Sequence, residues 1–301
     1  MRNNEKRISE INHVMGRVFK KFRSNRHFTL SDAASEGTST SVISSFERGE
    51  TKLSAPALFN ALQNINVNSY EFQYACNERL EQKDVLLFDI DVTRAYMDSS
   101  IPKLRKLLKS TEREIKLNPN KKKFRFDKIR IEGTLCLIDH DYEPEKDDVT
   151  FIKNYFMGLK VWCIEDIRLY GQCLSLFDSN TLDDLTQKFI ELTKTVSQLH
   201  FTKLTIIRTF LNLIDRSLEI GNFKEAHQCI IYLDNINIHE YYMFEKLTLI
   251  YNKAKLNYLE TRNEKSLDTM NRCKEIMKFC NCSKTEIAME DEIAEILEVN
   301  N

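Results

Sequence analysis

Scarcity of glycine and proline is the feature that most limits the fold of this chain. Its 301 residues include only seven Gly and four Pro, while 42% are hydrophobic and 30% are charged. Turn-rich β architectures use more Gly and Pro than this, so the composition favours long helices joined by short connections. We therefore expect an all-α protein, with a length typical of about two domains.

The first 50 residues have the order helix, short helix, turn, helix. The first helix is indicated by apolar residues at helical spacing, namely Ile11, Val14, Met15, Val18 and Phe22. A short second helix over 30–35, a turn at Gly37 and a third helix over 39–48 follow. This order is that of a helix-turn-helix motif. Further helices are expected after Ser54, which can act as an N-cap, and near Asn68.

The third helix is expected to have one buried face and one hydroxyl-rich face. Its Ser/Thr cluster supplies an N-cap, and Gly49 suits the left-handed position that ends a helix. We expect Val42, Ile43 and Phe46 to form one apolar patch that faces the domain. The outward residues, which we call the hydroxyl face, are Ser39, Thr40, Ser41, Ser44 and Ser45. Small side chains let a helix approach base edges, so this pattern is typical of a recognition helix in a major groove.

Basic residues are concentrated in the same part of the chain. The formal net charge is −1, but residues 1–70 hold ten Lys/Arg against six Asp/Glu, a net of +4 that leaves −5 for the rest. The candidates for contact with DNA phosphates are Arg17, Lys20, Lys21, Arg23, Arg26, Arg48 and Lys52. Taken singly, each also fits an ordinary solvated helix face. Glu47 would be repelled by DNA, so we expect it to pair with Arg17 or Arg23 inside the domain.

A weak repeat follows residue 181. Helix starts are predicted near Thr181, Phe223 and Lys265, 42 residues apart. Between them, one apolar ladder is formed by Leu204, Ile207, Leu211, Ile214 and Leu218. Two helices per repeat of this length indicate a degenerate tetratricopeptide- or HEAT-like stack, since strict tetratricopeptide repeats are shorter.

Several residues carry a resemblance to a known family. In the N-terminal part they are Gly16, Phe22-Arg23, Thr29, Ser41, Ile43-Ser44, Phe46-Glu47-Arg48-Gly49-Glu50, Leu58, Leu62 and Glu71-Phe72. This set resembles the DNA-binding domain of the Rgg/MutR branch of the XRE-type helix-turn-helix regulators. The segment Trp162, Glu165, Leu169-Tyr170-Gly171, followed by 204–218, is similar to the C-terminal part of Rgg-type regulators. The family often has Gln early in the second helix and a basic or amide residue in the third, where this chain has Leu30 and Ser45.

The resemblance implies an architecture and partners. We expect an XRE-type DNA-binding domain at 1–66, a helical linker at 67–84, and a dimerisation and peptide-sensing domain at 85–301. In fold terms, a five-helix helix-turn-helix domain would precede a right-handed, TPR-like helical-repeat superhelix. Double-stranded operator DNA, a short hydrophobic signalling peptide and a second copy of the chain are the implied partners.

Candidates for a peptide site are polar or amphipathic residues beside the apolar ladders. Asn can clamp an extended peptide backbone, Arg can bind its C-terminal carboxylate, and aromatic residues can line side-chain pockets. The candidates are Asn154, Arg168, Arg208, Asn212, Tyr241 and Tyr242. Asn212 also resembles an Asn in the corresponding family helix. The alternative is that most of these residues cap helices or face solvent.

Other functional classes find little support in the sequence. Cys273, Cys280 and Cys282 lack the spacing of a zinc site, and no glycine-rich loop, nucleophile elbow or H-E-x-x-H pattern occurs. We expect no enzyme activity, metal or cofactor. Eight Cys scattered through apolar stretches, taken as small core residues, and the lack of a signal peptide favour a reduced cytoplasmic setting. No apolar run of about eighteen residues predicts a transmembrane helix.

The sequence therefore favours a dimeric, cytoplasmic DNA-binding transcriptional regulator controlled by a short hydrophobic peptide. One alternative is a helical-repeat protein–protein interaction module without an operator. Another is a repressor that senses no peptide.

Overall fold

A computed structural model describes residues 2–80, 85–139, 141–193 and 200–298. Within these ranges the regular structure is helical, apart from one isolated β-bridge between Ser35 and Thr38, which confirms the all-α prediction. The chain divides into an N-terminal unit, Met1–Arg94, and a C-terminal unit, Ala95–Asn301. In the described part of the chain, no helix is long and apolar enough to cross a membrane.

Five helices precede the first gap in the description. They are α1 (Arg2–Asn25), α2 (Leu30–Ala33), α3 (Thr40–Glu47), α4 (Ala55–Asn64) and α5 (Ser69–Arg79). Each short helix starts at a side chain that accepts a bond from an early backbone N–H, as expected of N-caps. The capping residues are Thr29, Ser39, Ser54 and Asn68. The turn of the helix-turn-helix is closed by two backbone bonds between Ser35 and Thr38, with Gly37 at a φ of +82°.

The described part of the expected linker belongs to the N-terminal unit. Helix α5 packs on α1, and its Phe72 and Cys76 are buried in the same core as Val18, Phe19 and Leu62. The division between the units falls inside α6 (Val85–Met97), at Arg94, later than the expected boundary. Residues 81–84 of the expected linker lie outside the described residues.

The C-terminal unit continues as a series of packed helices. These are α7 (Ile101–Leu117), α8 (Lys122–Ile138), α9 (Lys146–Gly158), α10 (Ile164–Cys173), α11 (Ser179–Thr193), α12 (His200–Glu219), α13 (Phe223–Asp234), α14 (Met243–Thr261), α15 (Glu264–Phe279) and α16 (Ser283–Glu298). A 3₁₀ turn, Leu174–Leu176, precedes α11. Helices α11, α13 and α15 begin within two residues of the three predicted repeat starts.

The repeats pack as two rows of helices. Helices α8, α10, α12 and α14 contact one another in succession, while α13 packs on α12 and α15 packs on α14. The predicted ladder of α12 is confirmed for Ile207, Leu211, Ile214 and Leu218, which are buried, whereas Leu204 at its start is half-buried. Beside it, a series of stacked and tilted aromatic rings runs from Phe156 through the core to Tyr232. Four cysteines are buried as expected, but Cys163 and Cys280 are exposed, so the expectation of core cysteines was wrong for these two.

Buried charges tie α8 to α9, which the sequence did not reveal. The ammonium of Lys128 donates to Asp148 Oδ2 at 2.7 Å and lies 2.9 Å from Glu145 Oε2. Arg125 Nε donates to the other oxygen of Asp148 at 2.6 Å. Burial alone would lower the pKa of Lys128, but the hydrogen bonds to Asp148 and Glu145 raise it above its ordinary value.

Candidate functional site

Helix α3, the last helix of the helix-turn-helix, lies very close to α1. A Cβ atom added to Gly16 would lie 2.1 Å from the carbonyl oxygen of Phe46, so only glycine permits this approach. One turn further along α1, the ring of Phe19 meets that of Phe46 edge-on, with centroids 5.6 Å apart. These contacts fix the rotation of α3 about its axis.

An ion pair locks the same two helices together. Arg23 Nε and Nη2 donate to the two oxygens of Glu47 at 2.6 and 2.8 Å, and Arg23 Nη1 donates to the carbonyl of Phe28 at 2.7 Å. The hydrogen bonds to Glu47 raise the pKa of Arg23, which outweighs the effect of its desolvation. The predicted internal pairing of Glu47 is confirmed, with Arg23 as the partner. Arg23 therefore has an internal role in place of its predicted contact with DNA.

The C-terminus of α3 ends in a Schellman motif. Gly49 N donates to Phe46 O at 2.8 Å, and Glu50 N donates to Ser45 O at 3.0 Å. Gly49 has a φ of +76°, which confirms the predicted left-handed residue. A Cβ on Gly49 would also lie 2.2 Å from Nδ1 of His13 on α1. Glycine is thus required at two of the places where α1 and the end of α3 meet.

The hydroxyl face carries its own network of hydrogen bonds. Arg48 donates to Ser44 Oγ at 2.6 Å and to Ser45 Oγ at 3.1 Å, and it forms two bonds of 2.7 Å with the carboxylate of Glu50. The hydrogen bonds from Arg48 lower the pKa of Glu50. At the other end of the helix, the hydroxyls of Ser39 and Ser41 are 2.8 Å apart. If these side chains contact DNA, they must either break their hydrogen bonds to one another or form additional bonds beside them.

One residue of α3 is more exposed than predicted. Ile43 and Phe46 are buried, as expected, but the side chain of Val42 is 39% exposed. The prediction for Val42 was wrong because the inner face is completed by Glu47, whose charge is neutralised by Arg23. Glu47, paired with Arg23, thus takes a place on the inner face, and Val42 is left at the edge of that face.

The remaining DNA-contact candidates are exposed. Arg17, Lys20 and Lys21 lie on one face of α1, at positions spaced three and four residues apart, and Thr40 begins α3. Lys52 follows the cap of α3. Their exposure leaves them accessible to phosphates, and their contact with DNA stays a prediction.

In the C-terminal unit, two of the peptide-site candidates share an exposed face of α12. Arg208 and Asn212 are four residues apart and both are exposed. The guanidinium of Arg208 is held from one side by Glu245 on α14, with Nε and Nη2 each 2.8 Å from Oε1. The Glu245 side chain is only 5% exposed, whereas that of Arg208 is 62% exposed. The buried carboxylate thus anchors an arginine whose outer edge faces solvent.

The other candidates have different surroundings. Arg168 lies on α10, next to α12, and Nη1 donates to Glu165 Oε1 at 2.9 Å. Tyr242 packs against the core beside α14, whereas Tyr241 is 87% exposed and its ring lies near that of His239. Asn154 is exposed on α9, a helix outside the row that carries the arginines. Arg168, Arg208 and Asn212 thus lie on contacting helices of one row and Tyr242 caps the start of α14, whereas Asn154 lies on a helix outside that row.

A polar cluster at the end of this row was not predicted. Glu292 on α16 accepts bonds from Lys255 Nζ and, at 2.8 Å, from the hydroxyl of Tyr251, both on α14. On α12, burial raises the pKa of Asp215 to about 7, although Lys255 and Asn252 oppose the shift. Glu245 was missed as well, because an isolated Glu in a sequence gives no sign of a partner 37 residues away.

Comparison with known families decides the classification. Residues 105–291 match the model of the C-terminal domain of the HTH-type transcriptional regulator Rgg, which is more than half of the chain. The chain belongs to the Rgg family. The matched region of this Rgg-type chain contains all six peptide-site candidates and Glu245.

Solved structures share the fold over nearly the full length. The Rgg2 pheromone receptor of Streptococcus dysgalactiae has a TM-score of 0.74 at 22% identity, with 93% of this chain and 99% of that chain covered. A putative transcriptional regulator from Listeria monocytogenes EGD-e has a TM-score of 0.77 at 17% identity, covering 96% and 99%. The PrgX/cCF10 complex has a TM-score of 0.69 at 16% identity, covering 94% and 99%. At these identities the similarity establishes the fold of the Rgg-type chain.

Proposed function

We propose that this Rgg-family protein binds operator DNA as a homodimer through α3 and that a short hydrophobic peptide, bound on the α10–α12–α14 row, controls this binding. The observation that carries the proposal is the rigid seating of α3 on α1, which presents a helix of small side chains outward. A protein that acts on operator DNA in this way works in the cytoplasm.

The DNA-binding part rests on the helix-turn-helix geometry and on the exposed basic residues. In such motifs the N-terminal residues of the second helix contact base edges, while basic side chains contact phosphates. A dimer would require two half-sites about one helical turn apart, or a multiple of that spacing. Selection of bound duplexes from a random pool, followed by footprinting, tests whether the recovered site is symmetric.

Charge reversal separates this function from a protein-interaction role. The variant Lys20→Glu/Lys21→Glu should lose DNA affinity, and the wild type should show a steep loss of affinity as salt is raised. The matched control Lys106→Glu/Lys109→Glu reverses two exposed charges on α7 and should bind DNA as the wild type does. Recovery of no selective site would overturn the DNA-binding part and favour the protein-interaction alternative.

The peptide part is supported by two kinds of observation. Rgg2 is described as a pheromone receptor and PrgX has been solved with cCF10, and both share this fold. In this chain, Arg208 and Asn212 offer a charged fork and an amide on one face of α12, which suit a terminal carboxylate and an extended backbone. Thermal unfolding with a library of short hydrophobic peptides tests the proposal, because a bound peptide must raise the unfolding temperature.

Control by the peptide requires that it distinguish two states of the dimer. A ligand shifts an equilibrium only by its difference in affinity for the two states, and the effect is reciprocal. A stabilising peptide should therefore change DNA affinity by the same factor by which DNA changes peptide affinity. If a peptide stabilises the protein and leaves DNA affinity unchanged, the regulatory part of the proposal is wrong.

A further inference from the structure

Val42 is the one apolar side chain of α3, Thr40–Glu47, that is left exposed. The other two apolar residues of the helix, Ile43 and Phe46, are 0% and 3% exposed. Val42 is 39% exposed and occupies the third position of the helix, near the N-terminal end that enters the groove in helix-turn-helix motifs.

The orientation of Val42 cannot change without unseating the helix. Turning α3 so that Val42 faced inward would expose Ile43 or break the pair between Glu47 and Arg23. The contact between Gly16 and the Phe46 carbonyl leaves no room for a shift toward α1. In addition, a β-branched Val has one strongly preferred side-chain conformation in a helix, so little conformational entropy is lost when it makes a contact.

The polar neighbours of Val42 are less available for reading bases. Ser44 and Ser45 accept bonds from Arg48, and Ser39 is bonded both to Ser41 and to the backbone N–H of Val42. Arg48 is itself bound to Glu50. A hydroxyl also discriminates poorly among bases, whereas an apolar group in the major groove recognises the 5-methyl group of thymine.

We propose that Val42 reads thymine in each half-site through contact between its methyl groups and the thymine 5-methyl group. The proposal rests on the proposed DNA-binding function and assigns a specificity role to a residue exposed at the edge between the buried face and the hydroxyl face of α3. It also gives α3 a source of sequence preference that does not depend on its hydroxyl groups.

Replacement of thymine by deoxyuridine tests this contact, because it removes only the methyl group. Starting from the selected operator, each thymine is replaced in turn, and affinity is measured for the wild type and for Val42→Ala. Loss of one buried methyl contact should weaken wild-type binding about three- to fivefold at one thymine position per half-site. Val42→Ala lacks both γ-methyl groups and should lose most of this sensitivity to deoxyuridine at that position.

The outcomes separate this inference from the function on which it rests. Ile8→Ala removes an exposed aliphatic side chain from α1 and should keep the wild-type sensitivity to deoxyuridine. If the wild type binds its operator selectively but no replacement matters, or if Val42→Ala keeps the full sensitivity, the role of Val42 is refuted. If the wild type selects no operator at all, the proposed DNA-binding function fails. Equal helical content of the variants, measured by circular dichroism, confirms that each is folded.

Discussion

The side chains of Arg23 and Glu47 meet through two parallel hydrogen bonds of 2.6 and 2.8 Å, which join α1 to the recognition helix. Both side chains are largely buried, at 12% and 5% exposure. Glu47 lies one residue before the arginine that caps α3, so the pair fixes the end of the helix whose outer face carries the candidate DNA contacts.

Removal of one partner should destabilise the N-terminal unit strongly. Glu47→Ala leaves the guanidinium of Arg23 buried without its counter-charge, and we expect a loss of about 3 kcal/mol in the free energy of unfolding. The double variant Arg23→Met/Glu47→Leu should recover most of this loss, because apolar residues of similar size replace the pair. Urea denaturation measures both. Asp98→Ala, which breaks an exposed pair with Lys103, should change little, and an equal loss there would contradict the assignment.

Gly16→Ala should separate α1 from α3. The added methyl group would meet the Phe46 carbonyl at 2.1 Å, so we expect destabilisation of about 1–3 kcal/mol despite the higher helix propensity of alanine. Gly158→Ala at the end of α9 is the matched control, since no atom lies within 4 Å of its added Cβ. Urea unfolding should show a lower midpoint for Gly16→Ala than for the wild type, whereas Gly158→Ala should show no such decrease. Equal decreases in the two variants would contradict the close approach of α1 and α3.

Glu50→Gln should strengthen DNA binding. The carboxylate of Glu50 neutralises Arg48, so its removal frees one cation for a phosphate and also removes a repulsive charge. The plot of log affinity against log salt should become steeper by about 0.9. Glu71→Gln on α5 makes the same change of charge at another exposed site and should leave the slope unaltered. A steeper slope in both variants would show that net charge, and not the release of Arg48, is the cause.

Arg208 should distinguish peptides with a free C-terminal carboxylate from amidated ones. Arg208→Lys keeps the charge but cannot form two parallel bonds, so its preference for the free carboxylate should fall about tenfold. Titration calorimetry with the two forms of a stabilising peptide measures the preference. Arg216→Lys, on the same helix and paired with Glu219, serves as the control. If both variants retain the preference, the carboxylate is bound elsewhere.

Glu225 should make the stability of the C-terminal unit depend on pH. Burial raises the pKa of this carboxyl to about 7, although the hydrogen bond with Thr186 opposes the shift, and nearby Asp183 contributes a further increase. In the unfolded chain its pKa is about 4.3, so the native state binds the extra proton between pH 4 and 7. Stability from this group is therefore present at low pH and is lost as pH rises through 7.

Glu225→Gln should remove that loss. We expect the variant to equal the wild type near pH 4 and to exceed it at pH 8, by on the order of 3 kcal/mol. Thermal unfolding across this range provides the measurement. Glu240→Gln, at an exposed position, should follow the wild-type curve, and a Glu225→Gln curve parallel to the wild type would contradict the raised pKa.

Local signals in the sequence determined most of the helices and their ends. The caps at Ser39 and Ser54, the left-handed Gly49 and the ladder of α12 all depend on residues a few positions apart, and the structure agrees with them. The repeat starts followed from the same periodicity. Such features can be read from a sequence because the interacting groups lie within one or two helical turns.

Only the tertiary structure decided which residues of these helices are available for binding. Arg23 is largely buried and Val42 is exposed because Glu47 lies on the inner face of α3. Glu47 can lie there only because it pairs with Arg23, which is 24 residues away in the sequence. Similarly, Arg208 donates a hydrogen bond to Glu245, which lies 37 residues later in the sequence. The sequence by itself thus determined the all-α repeat architecture and the position of the helix-turn-helix motif. The roles of individual charges depended on long-range pairing, because burial of a charge is favourable only where the fold supplies its partner.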